Sequence, residues 1–230
     1  MERTPTIQLA VDAVVFGYSP GKGISVLLIQ RKYEPFQERW ALPGGFVKEA
    51  ESLEEAVERE LSEETGVTIN YLEQLYTFGK PGRDPRQRVV SVAYFVLIRP
   101  DAFQLHADTD AKDAQWFDIE ELPDLAFDHQ TIVDEAIQRL RGKVTYEPIG
   151  FELLEEKFPF SDLQALYETL LLRKVDRRNF QKKIKNLGIL QGLKETRKPV
   201  GSGRPAQLFR FDKDKYFQLK TQGTLFEVWL

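Results

Sequence analysis

Two glutamates set four residues apart, Glu60 and Glu64, stand where a helix would be expected to carry apolar side chains. With one residue every 100° from Leu53, Val57 falls at about 40°, Glu60 at about 340° and Glu64 at about 20°, so both carboxylates continue the apolar stripe. Glu54, Glu55, Glu58 and Arg59 take the outer face, where a solvated charge belongs. An inward pair of carboxylates one turn apart is costly unless something positive compensates it. A divalent cation does so, and hard oxygen ligands suit Mg2+ or Mn2+. Glu63, taken alone, reads equally well as a solubilising charge.

The helix that must present these groups is marked at both ends. Ser52 with Glu55 forms a capping box, and Gly66 supplies a left-handed residue just past the C-terminal end. Around it, the apolar, β-branched runs Ile7–Phe16 and Ile24–Gln30 flank a turn-rich segment and predict a β-hairpin. Further strands are predicted at Val67–Phe78, Val89–Ile98 and Gln115–Ile119, and a second helix at about Thr131–Arg141. Strands and helices mixed in this way imply a layered α/β or α+β domain over residues 1–142. A linker over 143–157 and a smaller domain over 158–230 follow, since 230 residues exceed the usual size of one domain.

Between the strands ending at Phe78 and starting at Val89 lies a basic loop containing Arg83, Arg86 and Arg88. Their guanidinium forks are suited to phosphate oxygens. The competing reading is a structural turn built by two prolines and an Arg-Asp pair. Neither His106 nor His129 has a motif around it that would mark a general base.

Composition narrows the classes. A chain 42% hydrophobic, with three Trp and sixteen Phe, has ample material for packed cores. It contains no cysteine, which excludes disulfides and thiolate metal sites and fits a reducing, cytoplasmic setting. No apolar run approaches the roughly 18 residues of a membrane span, and the N-terminal residues lack the pattern of an export signal. The net charge of −4 is the difference between +11 on residues 173–220, where fifteen Lys and Arg face four acids, and −15 elsewhere. Such segregation suggests a basic face for a polyanion.

That basic stretch has a pattern of its own. Ser161 with Gln164 predicts a capping box ahead of an amphipathic helix with Leu163, Leu166, Tyr167 and Leu170 inward. After a short turn Asp176 caps a second helix, with Phe180, Ile184 and Leu187 on its buried side and Gly188 at its end. Arg178, Lys182 and Lys185 lie away from that side, beside Gln181. Two strand-like runs, near Leu190–Leu193 and Leu208–Phe211, flank a Gly- and Arg-rich loop. Helix, tight turn, helix and two-stranded wing is the order of a winged helix-turn-helix. Such a domain would set its second helix in the major groove of double-stranded DNA. The candidate DNA contacts are Arg177, Arg178, Gln181, Lys182 and Lys185 on the helix, with Arg197, Lys198 and Arg204 on the wing. Gly201 and Gly203 would let Arg204 approach closely. The alternative is a small assembly domain with a solvated basic surface.

Written out, Gly45, five residues, Glu51, seven residues, then Arg59-Glu60-Leu61-Ser62-Glu63-Glu64-Thr65-Gly66-Val67 resembles the signature of the Nudix hydrolases at all nine fixed positions. The resemblance implies an α/β/α sandwich with a mixed sheet that cleaves nucleoside diphosphates linked to a second group. It also implies Glu60 and Glu64 as the main metal ligands, with Glu63 assisting, the Gly44 carbonyl as a further ligand, and Gly45 and Arg59 within the site. The string from Pro81 to Arg86 is similar to the loop of Nudix proteins acting on ADP-ribose. Taken whole, with Asp176-Arg-Arg-Asn-Phe180 and Gly203-Arg-Pro-Ala206, the chain resembles the NrtR family of Nudix-related transcriptional regulators. That implies a homodimeric DNA-binding regulator of NAD or sugar metabolism genes that responds to ADP-ribose or a related metabolite. The rival reading is a Mg2+-dependent ADP-ribose diphosphatase with a C-terminal assembly domain, and the intact signature keeps hydrolysis open. A third reading makes a sugar or sugar phosphate the effector of an inactive pocket.

Overall fold

The computed structural model describes residues 6–69, 71–102, 105, 111–198 and 204–223, and it divides into two compact units, the first up to Ser19 and over Ile24–Gln138, the second over Pro20–Gly23 and from Arg139 onward. In the first unit the strands are β1 (Gln8–Ser19), β2 (Gly23–Arg31), β3 (Trp40–Ala41), β4 (Gly44–Phe46), β5 (Leu72–Phe78), β6 (Val89–Ile98) and β7 (Ala111–Asp118). They form one mixed sheet in the order β3-β2-β1-β6-β5, with β4 added to β1 and β7 to β2. Strands β1 and β6 run parallel, from Gln8 opposite Val89 to Gly17 opposite Ile98. Both are apolar almost throughout because they lie at the centre of the sheet and are buried nearly end to end.

Helix α1 (Leu53–Thr65) carries Ala56, Val57 and Leu61 into a core with Val11, Ala13 and Val15 of β1 and Tyr94 and Val96 of β6. Helix α2 (His129–Lys143) buries Ile132, Val133, Ala136 and Leu140. The strand expected from Val67 starts only at Leu72, and the Val67 amide instead donates to the Thr65 hydroxyl. The last strand of the sheet is longer than its sequence suggested, since it begins at Ala111.

The second unit contains β8 (Phe158–Pro159), α3 (Phe160–Leu171), α4 (Arg177–Asn186), β9 (Leu190–Arg197), β10 (Ala206–Phe211) and α5 (Lys213–Thr221). Its sheet has the order β8-β10-β9. Two expectations need correction. Ser161 does not cap α3: the helix starts two residues earlier than such a cap would set it, Pro159 takes the capping position without a side-chain bond, and the Ser161 hydroxyl turns to Asp162. The segment 143–157 is not a free linker either. Ile149, Phe151, Leu153 and Leu154 are buried, and the Phe151 ring stacks on Phe211 at 4.1 Å, so this stretch belongs to the second core. It is also held by ion pairs: Glu152 with Lys213, Glu155 with Arg197, Glu156 with Arg210 and Lys157 with Glu195. Helix α5 had no sequence expectation.

Phe180 of α4 is fully buried against Phe160 and Tyr167, with ring centroids 5.4 and 5.0 Å away. The Tyr167 hydroxyl, deep in the same core, has no hydrogen-bond partner among the described residues. A buried donor without a partner costs free energy that the same ring without the oxygen would not. Tyr167→Phe is therefore expected to stabilise the second unit by about 1 kcal/mol, measured as a higher urea midpoint. A lower midpoint would show that the hydroxyl is satisfied in solution.

Candidate ligand pocket and nucleic-acid interface

The Ser52 side chain accepts from the Glu55 amide, Glu55 reaches back to the Ser52 amide, and Gly66 ends the helix at φ +72°. Within it, Glu64 is 4% exposed and its Oε2 accepts from the Gly44 amide at 2.9 Å. Arg59, set by sequence periodicity on the outer face, folds back across the carboxylates. Its Nε and Nη2 bind both oxygens of Glu51 at 2.9 and 2.7 Å, Nη1 binds Glu60 at 2.6 Å and Glu63 at 3.4 Å, and Nη2 also reaches the Phe46 carbonyl. The Arg59 bond holds the Glu51 carboxyl down at about 2. Burial has the opposite effect on Glu60 and raises its pKa, outweighing the charge of Arg59. Among the described residues no three acids or histidines stand close enough together to hold a metal ion as placed.

The loop facing this helix is glycine for steric reasons. A Cβ on Gly44, at φ +153°, would lie 2.2 Å from the Val11 carbonyl oxygen, and one on Gly45 would lie 2.3 Å from Glu60 Oε1. Gly44, Gly45, Arg59, Glu60, Glu63, Glu64 and Arg86 thus line a single recess of about 560 Å3. A narrower slot of about 70 Å3 adjoins it and shares Gly44, Gly45, Arg31 and Arg86.

The three loop arginines have separate fates. Arg83 is buried in an ion-pair network, with Nη2 3.0 Å from Asp12 Oδ2 and 2.7 Å from Asp128 Oδ1, at the wall of the slot. Arg86 pairs with both oxygens of the buried Asp84, at 3.0 and 2.7 Å, and its guanidinium lies 5.8 Å from the Phe46 ring and 5.9 Å from the Phe127 ring. Arg88 lines neither cavity, and its Nη1 donates to the Val89 carbonyl. The expectation that Arg88 reaches a ligand is not met by this placement.

Three slot residues, Asp12, Asp84 and His129, were missed by sequence reasoning, as was Asp128, which holds Arg83. Asp12 did leave a signal, as the one carboxylate inside the apolar run Ile7–Phe16. His129 is 5% exposed at the start of α2, and its Nδ1 accepts from the Leu42 amide at 2.9 Å. Burial lowers its pKa, so the ring is neutral with its proton on Nε2.

In the second unit Asp176 caps α4 by accepting from the Asn179 amide at 2.8 Å. Phe180 and Ile184 turn inward, and Leu187 is half-buried. Arg177, Arg178, Lys182 and Lys185 are exposed, with Gln181 partly so. Lys198 and Arg204 are exposed at the two ends of the wing, while Gly201 and Gly203 lie outside the described residues. Arg197, expected to meet DNA, is partly exposed and engaged within its own chain: it grips Glu155 through two bonds and the Lys157 carbonyl through a third.

Residues 6–140 match the NUDIX domain family, and residues 150–211 match the NrtR DNA-binding winged helix domain. A protein of Acinetobacter baylyi named ADPR responsive transcriptional repressor NtrR is 33% identical over 92% of this chain and 85% of its own length. The chain belongs to the NrtR family.

Among NrtR structures, that of Shewanella oneidensis NrtR complexed with a 27mer DNA superposes with a TM-score of 0.80 at 36% identity, covering 91% of this chain and 95% of that one. The NUDIX domain of the same Shewanella protein, complexed with ADP ribose, is 40% identical over 60% of this chain and 90% of its own, with a TM-score of 0.54. An ADP-ribose pyrophosphatase of Methanocaldococcus jannaschii is 40% identical over 58% of this chain and 75% of its length.

The lowered pKa of His129 has a sign that can be checked in this NrtR-family chain. The unfolded chain binds a proton at His129 below about pH 6.5 while the folded one resists it. Stability from this residue is complete above that pH and lost as the pH falls. The unfolding midpoint is expected to drop between about pH 7.5 and 5.5, and less steeply in His129→Asn, which keeps an acceptor for Leu42. Equal slopes in the two proteins would show that the ring titrates freely.

Proposed function

We propose that the chain is a DNA-binding transcriptional regulator whose Nudix unit binds ADP-ribose or a related nucleoside diphosphate derivative. The observation that carries this reading is the presence in one polypeptide of a carboxylate-lined recess under a Nudix helix and a winged helix whose α4 displays four exposed cations. The names of its relatives support the ligand: the Acinetobacter protein is named an ADPR responsive repressor, and the Shewanella protein is known complexed with a 27mer DNA and, as its NUDIX domain, with ADP ribose. On this reading Arg177, Arg178, Gln181, Lys182 and Lys185, with Lys198 and Arg204, meet the duplex. Two copies of the chain would occupy half-sites about one helical turn apart. Among the described residues no helix is long and apolar enough to cross a membrane, and a role on DNA supports a cytoplasmic setting.

Arg178→Ala with Lys182→Ala is expected to weaken duplex binding by at least about tenfold and to leave ADP-ribose binding intact. Fluorescence anisotropy with DNA from upstream of the protein's own gene cluster, with and without ADP-ribose, reads both. Unchanged duplex binding by the double variant would remove α4 from the interface.

The second reading, hydrolysis of ADP-ribose, is favoured by the complete Nudix signature and the pyrophosphatase relative. The donor set fits a hard divalent cation: Glu60, Glu63, Glu64 and the Gly44 carbonyl offer only oxygen, and burial already leaves Glu60 in want of positive charge. Bound Mg2+ or Mn2+ would neutralise the diphosphate and lower the pKa of a bound water. The chain's own part is to hold the carboxylates, through Arg59 and the Gly44 amide, beside the recess. Glu60→Gln with Glu64→Gln is expected to cut Mg2+-dependent release of AMP by more than about 100-fold. Turnover that survives would move the metal site elsewhere.

A further inference from the structure

We infer that Glu168 is a positioning residue for duplex binding: through its Oε1 it ties the end of α3 to the backbone entering α4, and so sets the direction in which α4 presents its cations. The inference rests on the reading that α4 meets DNA.

Glu168 stands in the last turn of α3, where the helix dipole favours a cation and disfavours an acid. It also belongs to a unit whose proposed partner is a polyanion, so its charge opposes binding. Two electrostatic costs at one residue call for a compensating contact, and the geometry supplies it. The side chain is only 16% exposed, and its carboxylate accepts three bonds. Oε1 takes the Gln164 side-chain amide at 3.0 Å and the Val175 backbone amide at 3.1 Å, while Oε2 takes Lys174 Nζ at 2.9 Å. Together these bonds hold its pKa down at about 2, so the group is ionised at neutral pH.

The three bonds differ in what they hold. Lys174 is 91% exposed, and an ion pair at such a site contributes little. Val175 is another matter, because its amide lies in the short turn outside both helices, one residue before the Asp176 cap. Its side chain is buried, so amide and side chain are both fixed just where α4 begins. Gln164, one turn before Glu168 on the same helix, aims the carboxylate. Leu172 ends α3 in the left-handed region at φ +53°, but its side chain is exposed and does not anchor the turn by packing. Phe180 and Ile184 decide which side of α4 is buried, and the bond from Val175 to Glu168 decides where the helix starts.

The test is fluorescence anisotropy of the full chain with DNA from upstream of its own gene cluster, for wild type, Glu168→Ala and Glu168→Gln. On charge alone, both substitutions remove an anion and tighten binding. A positioning role reverses the sign for the alanine variant. Glu168→Ala is expected to bind at least about tenfold more weakly, because the turn loses its acceptor and α4 its preorganisation. Glu168→Gln keeps a carbonyl oxygen for Val175 and Gln164, loses only the Lys174 pair, and is expected to stay within about threefold of wild type. Wild-type or tighter binding by Glu168→Ala overturns the inference. A loss in Glu168→Gln equal to that in Glu168→Ala overturns it too, since charge rather than the acceptor would then matter. Amide hydrogen exchange at Val175 reads the bond itself, and slow exchange is expected in wild type and Glu168→Gln. Fast exchange at Val175 in wild type overturns the inference, and this measurement decides with Glu168→Gln where melts show that Glu168→Ala does not fold. A wild type that exchanges slowly at Val175 yet does not bind the duplex overturns the underlying reading instead.

Discussion

Helix α1 carries six carboxylates and one cation in thirteen residues, and Arg59 is that cation. Like charges at this density repel, and those near the cleft are partly cut off from the water that would screen them. The guanidinium answers with a planar fork that reaches Glu51, Glu60, Glu63 and the Phe46 carbonyl. Removing it would leave several half-buried anions uncompensated, a costlier state than an apolar replacement of all of them. In the facing loop a side chain at Gly44 would run into the Val11 backbone, and one at Gly45 would displace the Glu60 carboxylate. Cap, cation, loop and carboxylates thus form one mutually dependent unit, and the recess beside it exists because that unit is rigid.

A second buried charge system sits under the slot. Asp12, Arg83, Asp128 and His129 come from β1, the loop before β6, and the chain entering α2. Asp12 bonds the Ser91 hydroxyl on the parallel neighbour β6 as well as Arg83 of the loop, so sheet register and loop together set the position of the carboxylate. A ligand group arriving there meets dipoles already aimed, which lowers the ordering cost of binding.

How much of this was legible depended on sequence separation. The capping box, the inward turn of Glu64 and the buried side of α4 all follow from residues within two or three turns of one another, and periodicity exposes them. The partners of the slot are 71 and 45 residues apart for Arg83 with Asp12 and Asp128, and 87 for His129 with Leu42, so no local pattern joins them. Arg59 was placed on the outer face by its angle, but its side chain is long enough to return over the helix, and opposite charge draws it back. Ser161 failed as a cap because Phe160 is needed in the core at the helix start. Segment 143–157 read as a connector because its apolar residues lack a helical or strand period, although they are buried all the same.

The ion pairs of that segment bear on how DNA would sense the molecule. Glu152, Glu155 and Glu156 lie before the basic stretch in sequence and engage Lys213, Arg197 and Arg210 within it. Those three cations already have carboxylate partners from their own chain, and they keep fewer anions from solution condensed about the protein. The salt dependence of duplex binding reports phosphates neutralised and counterions released, so it should follow the exposed side chains of α4 and the wing ends and be shallower than the composition of residues 173–220 implies. A basic stretch in a sequence is a ceiling on its polyanion contacts, and acidic residues just outside the stretch can lower that ceiling without changing a residue within it.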